Sequence, residues 1–337
     1  MFGVLFILLL ITVSVSVASA MRTNKKTRKT REQSTAVDVV CLWVDGSDDA
    51  WRSELQTYLK EERRLYPQIH IYHSENREPE KKEVSARDEL YYSAHGIVKF
   101  MPWVRKYFLV TMRPQKPFWW PECGRMGNIE FVLVHHDEIF EDKSQLPTFS
   151  SNAIQQYLHR IPGLAERFIL FDDDCYIGQP MRKTDFFTKN GTPVVCMIKH
   201  VPETDNPDTN WMAMCMNTCG LIQSIIGKDK DVYFPFHVCL PLLKSSLETF
   251  YENQTIKRRS KAFRRFRSSV DFTVQYVIAG SLYGMGMLED MPERVTTRFF
   301  GPDSTMSGSA PHLFCINHKL TPGNIEYMDA LVKGTNA

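Results

Sequence analysis

The chain has 337 residues, 43% of them hydrophobic and 12% aromatic, with a net charge of +2 at pH 7. That is enough apolar material to bury a large core, as one big domain or two modest ones. Six Lys/Arg and no acid fall between residues 22 and 31, so the rest of the chain is net acidic, which excludes a general polyanion binder. The basic run 257–267 lacks the interleaved aromatics, beyond Phe263 and Phe266, that a nucleic-acid role needs.

Residues 1–20 form a targeting segment. Phe2 to Val17 is almost wholly apolar, and Ala18-Ser19-Ala20 resembles a cleavage site. The basic residues follow the apolar run instead of preceding it, so a retained, inverted membrane anchor is the alternative to a cleaved signal peptide. Residues 21–35 read as a basic linker, and 36–330 as a single domain. If that domain is lumenal, Asn190-Gly191-Thr192 and Asn253-Gln254-Thr255 are acceptor sequons. The eight cysteines show no paired zinc-site spacing, Cys215 and Cys219 alone being insufficient. One or two disulfides and buried free thiols are both open readings.

Val37–Val44 (VDVVCLWV) is a buried strand stopped by Asp45-Gly46. A helix suits Asp49 to about Glu62, and residues 66–84 a loop with a short strand. Ser85 is the expected N-cap of a helix ended by Pro102, with Asp88 at the capping-box position. Tyr107–Thr111, Ile129–Val134 and Phe168–Phe171 are short buried strands, and Ser151–Ile161 a short helix. Further helices are expected over 240–251 and around 271–281. Strands alternating with helices predict an α/β fold with a mainly parallel sheet.

Acidic groups follow two of these strands: Asp45, Asp48 and Asp49 after the first, and Asp172, Asp173 and Asp174 after Phe168–Phe171. Open α/β sheets bind ligands at the carboxyl ends of their strands, and carboxylates clustered there suit a hard divalent cation. Turn and cap chemistry is the alternative use of Asp, strongest for Asp45 in its Asp-Gly turn.

The strings VDVVCLWVDGSDDAW, RDELYYSAHGIVKFMPWVRKYFLVT, HHDEIF, LPTFSSNAIQQYLHRIPGLAERFILFDDDCYIG, HVCLPLLK, RFRSSVD and FCINH occur in that order between about residues 37 and 325. Together they resemble the four signature blocks of the Stealth proteins. The resemblance implies a Rossmann-like nucleotide-sugar-binding domain that moves a hexose-1-phosphate, N-acetylglucosamine-1-phosphate in the first place, from a UDP-sugar to a glycan or glycoprotein hydroxyl, releasing UMP. The clustered carboxylates call for a divalent metal (Mg2+ or Mn2+, with Ca2+ a further option), and the targeting segment for residence in the secretory pathway, in the Golgi lumen or membrane or as a secreted protein. Homo-oligomerisation is open.

Phosphoryl transfer assigns the roles. The metal ligands would be Asp172, Asp173 and Asp174, with Asn317 and His318; His318 stands where the family carries an acid, so it must supply a nitrogen ligand or leave the metal more weakly held. His237, with a pKa near neutrality, would accept the proton of the attacking hydroxyl. Arg267 offers a forked donor to phosphate, Asp271 would orient Arg267 or His237, and Asp45 joins them at the site. Trp43, Asp45, Gly46, Asp48, Asn152 and Arg160 are the donor-binding set, although Asn152 and Arg160 serve equally well as residues that cap and orient their helix. Of the basic run 257–267, only Arg267 is expected in the site, the others being surface or acceptor contacts. Two further departures from the family pattern are Tyr91 and His95 in place of arginines, for which Arg113 is a candidate replacement charge. The rival readings are a metal-dependent glycosyltransferase that releases UDP, and a catalytically silent glycan-binding protein.

Overall fold

The structure is a computed structural model that describes residues 36–69, 71–72, 88–200, 210–253, 255–256, 263–301, 304, 306–318 and 320–333. The targeting segment, the basic linker, Ser85 and residues 257–262 lie outside those residues.

Strand β1 (Val37–Leu42) is buried along its whole length. Val37, Val39 and Cys41 enter one apolar core, while Val40 and Leu42 enter the other. This two-sided burial is what a continuous apolar run means in a parallel sheet covered by helices. Asp38 interrupts the run, and its buried carboxylate accepts from Arg105 Nε (2.9 Å) and Nη2 (2.6 Å) and from the Ala165 amide (2.7 Å). A forked pair of this kind anchors the strand entry to two loops at once.

The chain then runs through α1 (Asp49–Leu65), β2 (Ile71–Tyr72) and α2 (Glu89–Phe100). Asp88 is the N-cap of α2, its side chain accepting the Tyr91 amide, so the described helix starts later than a Ser85 cap would place it. Next come β3 (Lys106–Thr111), β4 (Arg125–Met126), β5 (Ile129–His135), α3 (His136–Ile139) and α4 (Ser151–Gln155), then β6 (Arg167–Asp172) and β7 (Cys175–Ile177). The second half holds β8 (Val194–Val195), β9 (Met197–Lys199), α5 (Asn210–Ile226), β10 (Tyr233–Pro235), β11 (Leu240–Leu243) and α6 (Lys244–Glu252). It closes with β12 (Arg267–Ser268), α7 (Val274–Gly284), β13 (Glu289–Asp290), β14 (Thr297–Phe300), β15 (Leu313–Ile316) and α8 (Pro322–Val332).

Two of these elements correct the expectations. The helix expected over 240–251 is a strand followed by a helix, because Leu240–Leu243 pairs with β6 along the edge of the sheet, where Pro241 is tolerated. Helix α5 was not anticipated at all: its sequence, NWMAMCMNTCGLIQSII, carries too faint an apolar stripe to announce a helix.

The main sheet has the order β11-β6-β1-β3-β5-β4. Strands β6, β1, β3 and β5 run parallel, and the two edge strands are antiparallel, which gives the expected Rossmann-like, mainly parallel α/β sheet. The chain moves outward from β1 through β3 to β5, then returns to the other flank of β1 as β6. The crevice at such a reversal is where this class of sheet binds ligands.

A second sheet, β14-β15-β7, begins directly after the three aspartates. Its approach is tight at Gly178, where an added Cβ would lie 2.2 Å from Pro311 O and 2.6 Å from Ala310 Cβ. Gly178→Ala should therefore force β7 away from β15 and cost about 1–3 kcal/mol. Thermal unfolding reads this directly, and an unchanged melting temperature would show that the junction yields.

His136 is buried, and neither ring nitrogen has a hydrogen-bond partner among the described residues. Burial, with His135 beside it, lowers its pKa from 6.5 to about 4. Between those values the unfolded chain takes up a proton that the folded chain refuses, so this residue costs stability as pH falls. His136→Phe should lose less stability than the native chain on acidification through that window, measured as melting temperature against pH. Parallel curves would contradict the exclusion of the proton.

Candidate active site

Strand register assembles the site. Leu42 is paired with Asp172 across β1 and β6, so the Asp45 turn and the Asp172–Asp174 run leave the sheet side by side. Strand β11 returns antiparallel with Leu240 opposite Leu170, and extending that register three residues beyond Leu240 carries His237 to the level of Asp173. His237 Nε2 lies 3.7 Å from Asp174 Oδ2. From the second sheet, Cys315 sits opposite Cys175. The thiols donate to Asp174, Cys315 Sγ to Oδ2 at 3.4 Å and Cys175 Sγ to Oδ1 at 3.6 Å.

The three aspartates face different neighbours. Burial raises the pKa of Asp172, and the charges of His237 and Arg267, with a hydrogen bond from Gln275, offset part of that rise. Asp173 is raised much further, by burial and then by the carboxylates of Asp174, Glu89 and Asp172. Burial acts on Asp174 in the same sense, but its contacts with His237, Cys315 and Cys175 outweigh it and hold the group below the usual carboxylate range. His237 responds in kind: burial would lower it, yet Asp174, Cys315 and the charge of Asp172 push it up to about 11. The imidazole is therefore charged at neutral pH, which departs from the expected neutral proton acceptor. Cys315 is the more acidic thiol of its pair, through its contacts with Cys175 and His237.

Arg267 reaches this cluster from a locked segment. Phe266 is buried and stacks on Phe149 with ring centroids 4.9 Å apart. Arg265 donates to Pro147 O (2.7 Å) and Ser144 O (3.0 Å), while its own carbonyl accepts the Phe149 amide (2.6 Å). Arg264 pairs with Glu62 at 3.5 Å and covers the Tyr66 ring. Arg264 and Arg265 thus hold the LPTFSS loop and α1 in place, contrary to their expected use as surface or acceptor contacts. Asp271 is 2% exposed and accepts the Ser268 amide (2.9 Å) and hydroxyl (3.0 Å). It fixes the turn that follows Arg267, and its pKa is raised by burial to about 6.

The expected donor set divides. Asp45 accepts the Ser47 amide (2.8 Å) and hydroxyl (2.5 Å), and Asp48 caps α1 through the Ala50 and Trp51 amides. Both are thus engaged in turn and cap chemistry. Gln115 ties them together, exchanging hydrogen bonds with the Asp45 backbone (3.0 and 3.1 Å) and donating to Asp48 Oδ2 (3.3 Å). A cleft of about 560 Å3 opens here, lined by Asp48, Trp51, Tyr58, Arg113 and Gln115. Trp43 and Gly46 lie on the same β1 exit, Trp43 half-buried and Gly46 exposed. Asn152 is buried, with its amide against Met214 Sδ at 3.8 Å. Arg160 precedes the entry of β6, the opposite end from Asp172, and pairs with Glu141 at 3.3 Å. Those two are packing and pairing residues, and Arg113 likewise spends its charge on Asp137 (3.3 Å) and Glu138 (3.6 Å). Tyr91 and His95 stack on each other at 3.8 Å, so both replacements fill one aromatic cluster with Trp119.

The metal-ligand expectation also changes. Among the described residues, the His, Cys, Asp and Glu donor atoms that gather within 4.8 Å belong to Asp174, Cys175, His237 and Cys315. His318 is not one of them, and Asn317 is exposed with its amide bonded to Phe300 O. Asp173 is not among the gathered donors, but the carboxylates of Asp174, Glu89 and Asp172 around it make acidic surroundings that a hard divalent cation would relieve. Sequence reasoning missed Cys175, Cys315, Gln275 and Glu89. The two cysteines adjoin the FDDD and INH strings, but a search for paired cysteine spacing cannot see ligands that meet across strands. All eight cysteines are unbridged, which settles the thiol question in favour of free thiols.

Residues 83–195 match the family profile described as Stealth protein CR2, conserved region 2. The chain is 30% identical over 309 residues to a capsular polysaccharide phosphotransferase of Haemophilus influenzae, covering 86% of this chain and 80% of that protein. A receptor polysaccharide phosphotransferase of Streptococcus gordonii is 30% identical over 285 residues, covering 74% of this chain and 80% of that one. A capsular polysaccharide phosphotransferase of Actinobacillus pleuropneumoniae is 37% identical over 174 residues, covering 52% of this chain and 44% of that relative.

Asp271→Ala should leave the buried Ser268 amide without its acceptor and cost about 1–3 kcal/mol of stability. Asp271→Asn retains an acceptor and should cost less. Thermal unfolding of the two variants distinguishes them, and equal melting temperatures for both and the native chain would remove Asp271 as the brace of this turn.

Proposed function

The chain belongs to the Stealth family, and from that premise we propose that it is a sugar-phosphate transferase acting on a glycan hydroxyl. The donor is a UDP-sugar, UDP-N-acetylglucosamine in the first instance, and the by-product is UMP. The observation that carries this reading is the meeting of Asp174 and His237 at 3.7 Å beside Asp172 and Arg267, at the carboxyl edge of a parallel sheet.

Transfer of hexose-1-phosphate requires a hydroxyl to attack the β-phosphorus while negative charge builds on the phosphoryl oxygens and UMP departs. Arg267 supplies a fixed guanidinium to that charge, held by the Phe266 stack and the turn behind it. His237, carried as an imidazolium against Asp174, donates to a phosphoryl oxygen or to the departing phosphate. Asp172, whose pKa burial raises and which stands outside the proposed cation pair, accepts the proton of the attacking hydroxyl. A divalent cation on Asp173 and Asp174, when bound, supplies charge neutralisation of the diphosphate. The cleft lined by Trp51, Tyr58 and Gln115 takes the nucleoside end of the donor, with Asp48 on its polar rim. The acceptor hydroxyl then approaches from the exposed side of His237.

Residence in the secretory lumen belongs to the same proposal. Asn190 is exposed in its turn and open to glycosylation, whereas the Asn253 side chain accepts the Thr255 and Ile256 amides. Among the described residues no helix is long and apolar enough to cross a membrane.

Purified protein incubated with UDP-N-acetylglucosamine, Mg2+ or Mn2+ and a panel of glycan acceptors should release UMP and form a phosphodiester-linked product. Release of UDP would mean that the sugar alone moves. Absence of UMP across a broad donor panel, with glycan binding retained, would identify a silent homologue. Asp174→Asn should lower kcat by about 10²–10³ without unfolding the protein, and His237→Ala by about 10² with donor binding retained. Normal turnover in either variant would remove that residue from the machinery.

A further inference from the structure

The thiols of Cys175 and Cys315 have no task in the transfer reaction, yet they point into its centre. Ile316 N donates to Asp174 O at 3.0 Å, so the Cys175–Cys315 pair is a non-hydrogen-bonded site of the antiparallel ladder. Side chains stand closest at such sites, with Cα atoms about 4.5 Å apart. Both thiols are fully buried, whereas Asp174 and His237 have side chains 20% and 32% exposed. The cluster is therefore closed on its sulfur side and open on its oxygen and nitrogen side.

We infer that Asp174, Cys175, His237 and Cys315 form a binding site for a thiophilic divalent cation of the Zn2+ class. Their donor atoms lie within 4.8 Å of one another. A tetrahedral zinc site with two sulfurs, one nitrogen and one oxygen needs edges of about 3.3–3.8 Å, a contraction that side-chain rotation can supply. The ligands come from three separate segments: the β6–β7 turn with the start of β7, the bend before β11, and β15. Only one of the four donors is an oxygen, so the set prefers a soft ion over Mg2+. It differs in this from the cation proposed for Asp173 and Asp174. The two ions share Asp174, and a thiophilic ion also occupies His237. Its binding therefore excludes both side chains from the transfer reaction and inhibits it, a consequence that rests on the proposed function.

The test is titration of the full-length, TCEP-reduced protein with Co2+ as a spectroscopic probe. One equivalent should produce an intense near-ultraviolet thiolate charge-transfer band and strong visible bands of tetrahedral cobalt, both displaced by Zn2+. Cys315→Ser and His237→Ala, each checked for folding by circular dichroism, should weaken Co2+ binding at least tenfold and lose or shift those bands. Only weak octahedral bands, or a tetrahedral spectrum indifferent to both variants, would overturn the site. UMP release by the native chain should fall as Zn2+ saturates the same site. A chain that shows the thiolate spectrum but forms no UMP keeps this site and loses the transferase reading; one that forms UMP without the spectrum does the reverse.

Discussion

Three carboxylates at the end of a buried apolar strand are costly, because each must leave water for a site walled by the sheet. Much of the architecture around them offsets that cost. His237 and Arg267 bring positive charge, Gln275 brings a donor from the first turn of α7, and two thiols bond to Asp174. Asp173 is the least compensated, since its nearest charged influences are other acids. That residual charge makes the centre receptive to a cation and to the phosphates a cation would accompany.

The arrangement needs rigid support, because each compensating group arrives from a different part of the chain. Arg267 depends on the interlock between the LPTFSS loop and the 264–268 segment, where an aromatic stack, one backbone hydrogen bond and two bonds from the Arg265 guanidinium fix the chain that carries it. His237 depends on β11 pairing along β6, and Cys315 on β15 pairing with β7. The close approach at Gly178 keeps that second sheet near enough for its thiol to matter. At the other end of β1, the buried Asp38–Arg105 fork fixes the strand entry. The expected basic surface is in part an internal brace, with Arg264 and Arg265 holding loops while Arg267, among the described residues of the run, faces Asp172.

Much of the first half of the fold was legible in the residues. The strands from Val37, Tyr107, Ile129 and Phe168 announce themselves as apolar runs because both faces of a parallel sheet are buried. The helix before Pro102 shows its stripe and its stop. The second half was less legible for stated reasons. LPLL reads equally as a buried helix turn or an edge strand, and only pairing with β6 decides between them. Helix α5 carries too weak a stripe for periodicity to detect. The choice between turn chemistry and ligand chemistry for Asp45 and Asp48 was open in the sequence; the structure shows the turn and cap bonds, to Ser47, Ala50 and Trp51, and sets Asp48 at the cleft as well.

By itself the sequence determined the strand identities, the acidic groups at their ends and the family, since these depend on local pattern and on motif strings read in order. It could name His237, Arg267 and Asp172–Asp174 as chemistry-bearing residues. Only the tertiary structure decided which of them meet and in what charge state. Proximity across the chain follows from strand register, and protonation follows from burial and from neighbours that register supplies. A histidine expected to be neutral is held charged, and two cysteines with no sequence spacing in common face one carboxylate, because both properties belong to the packed neighbourhood.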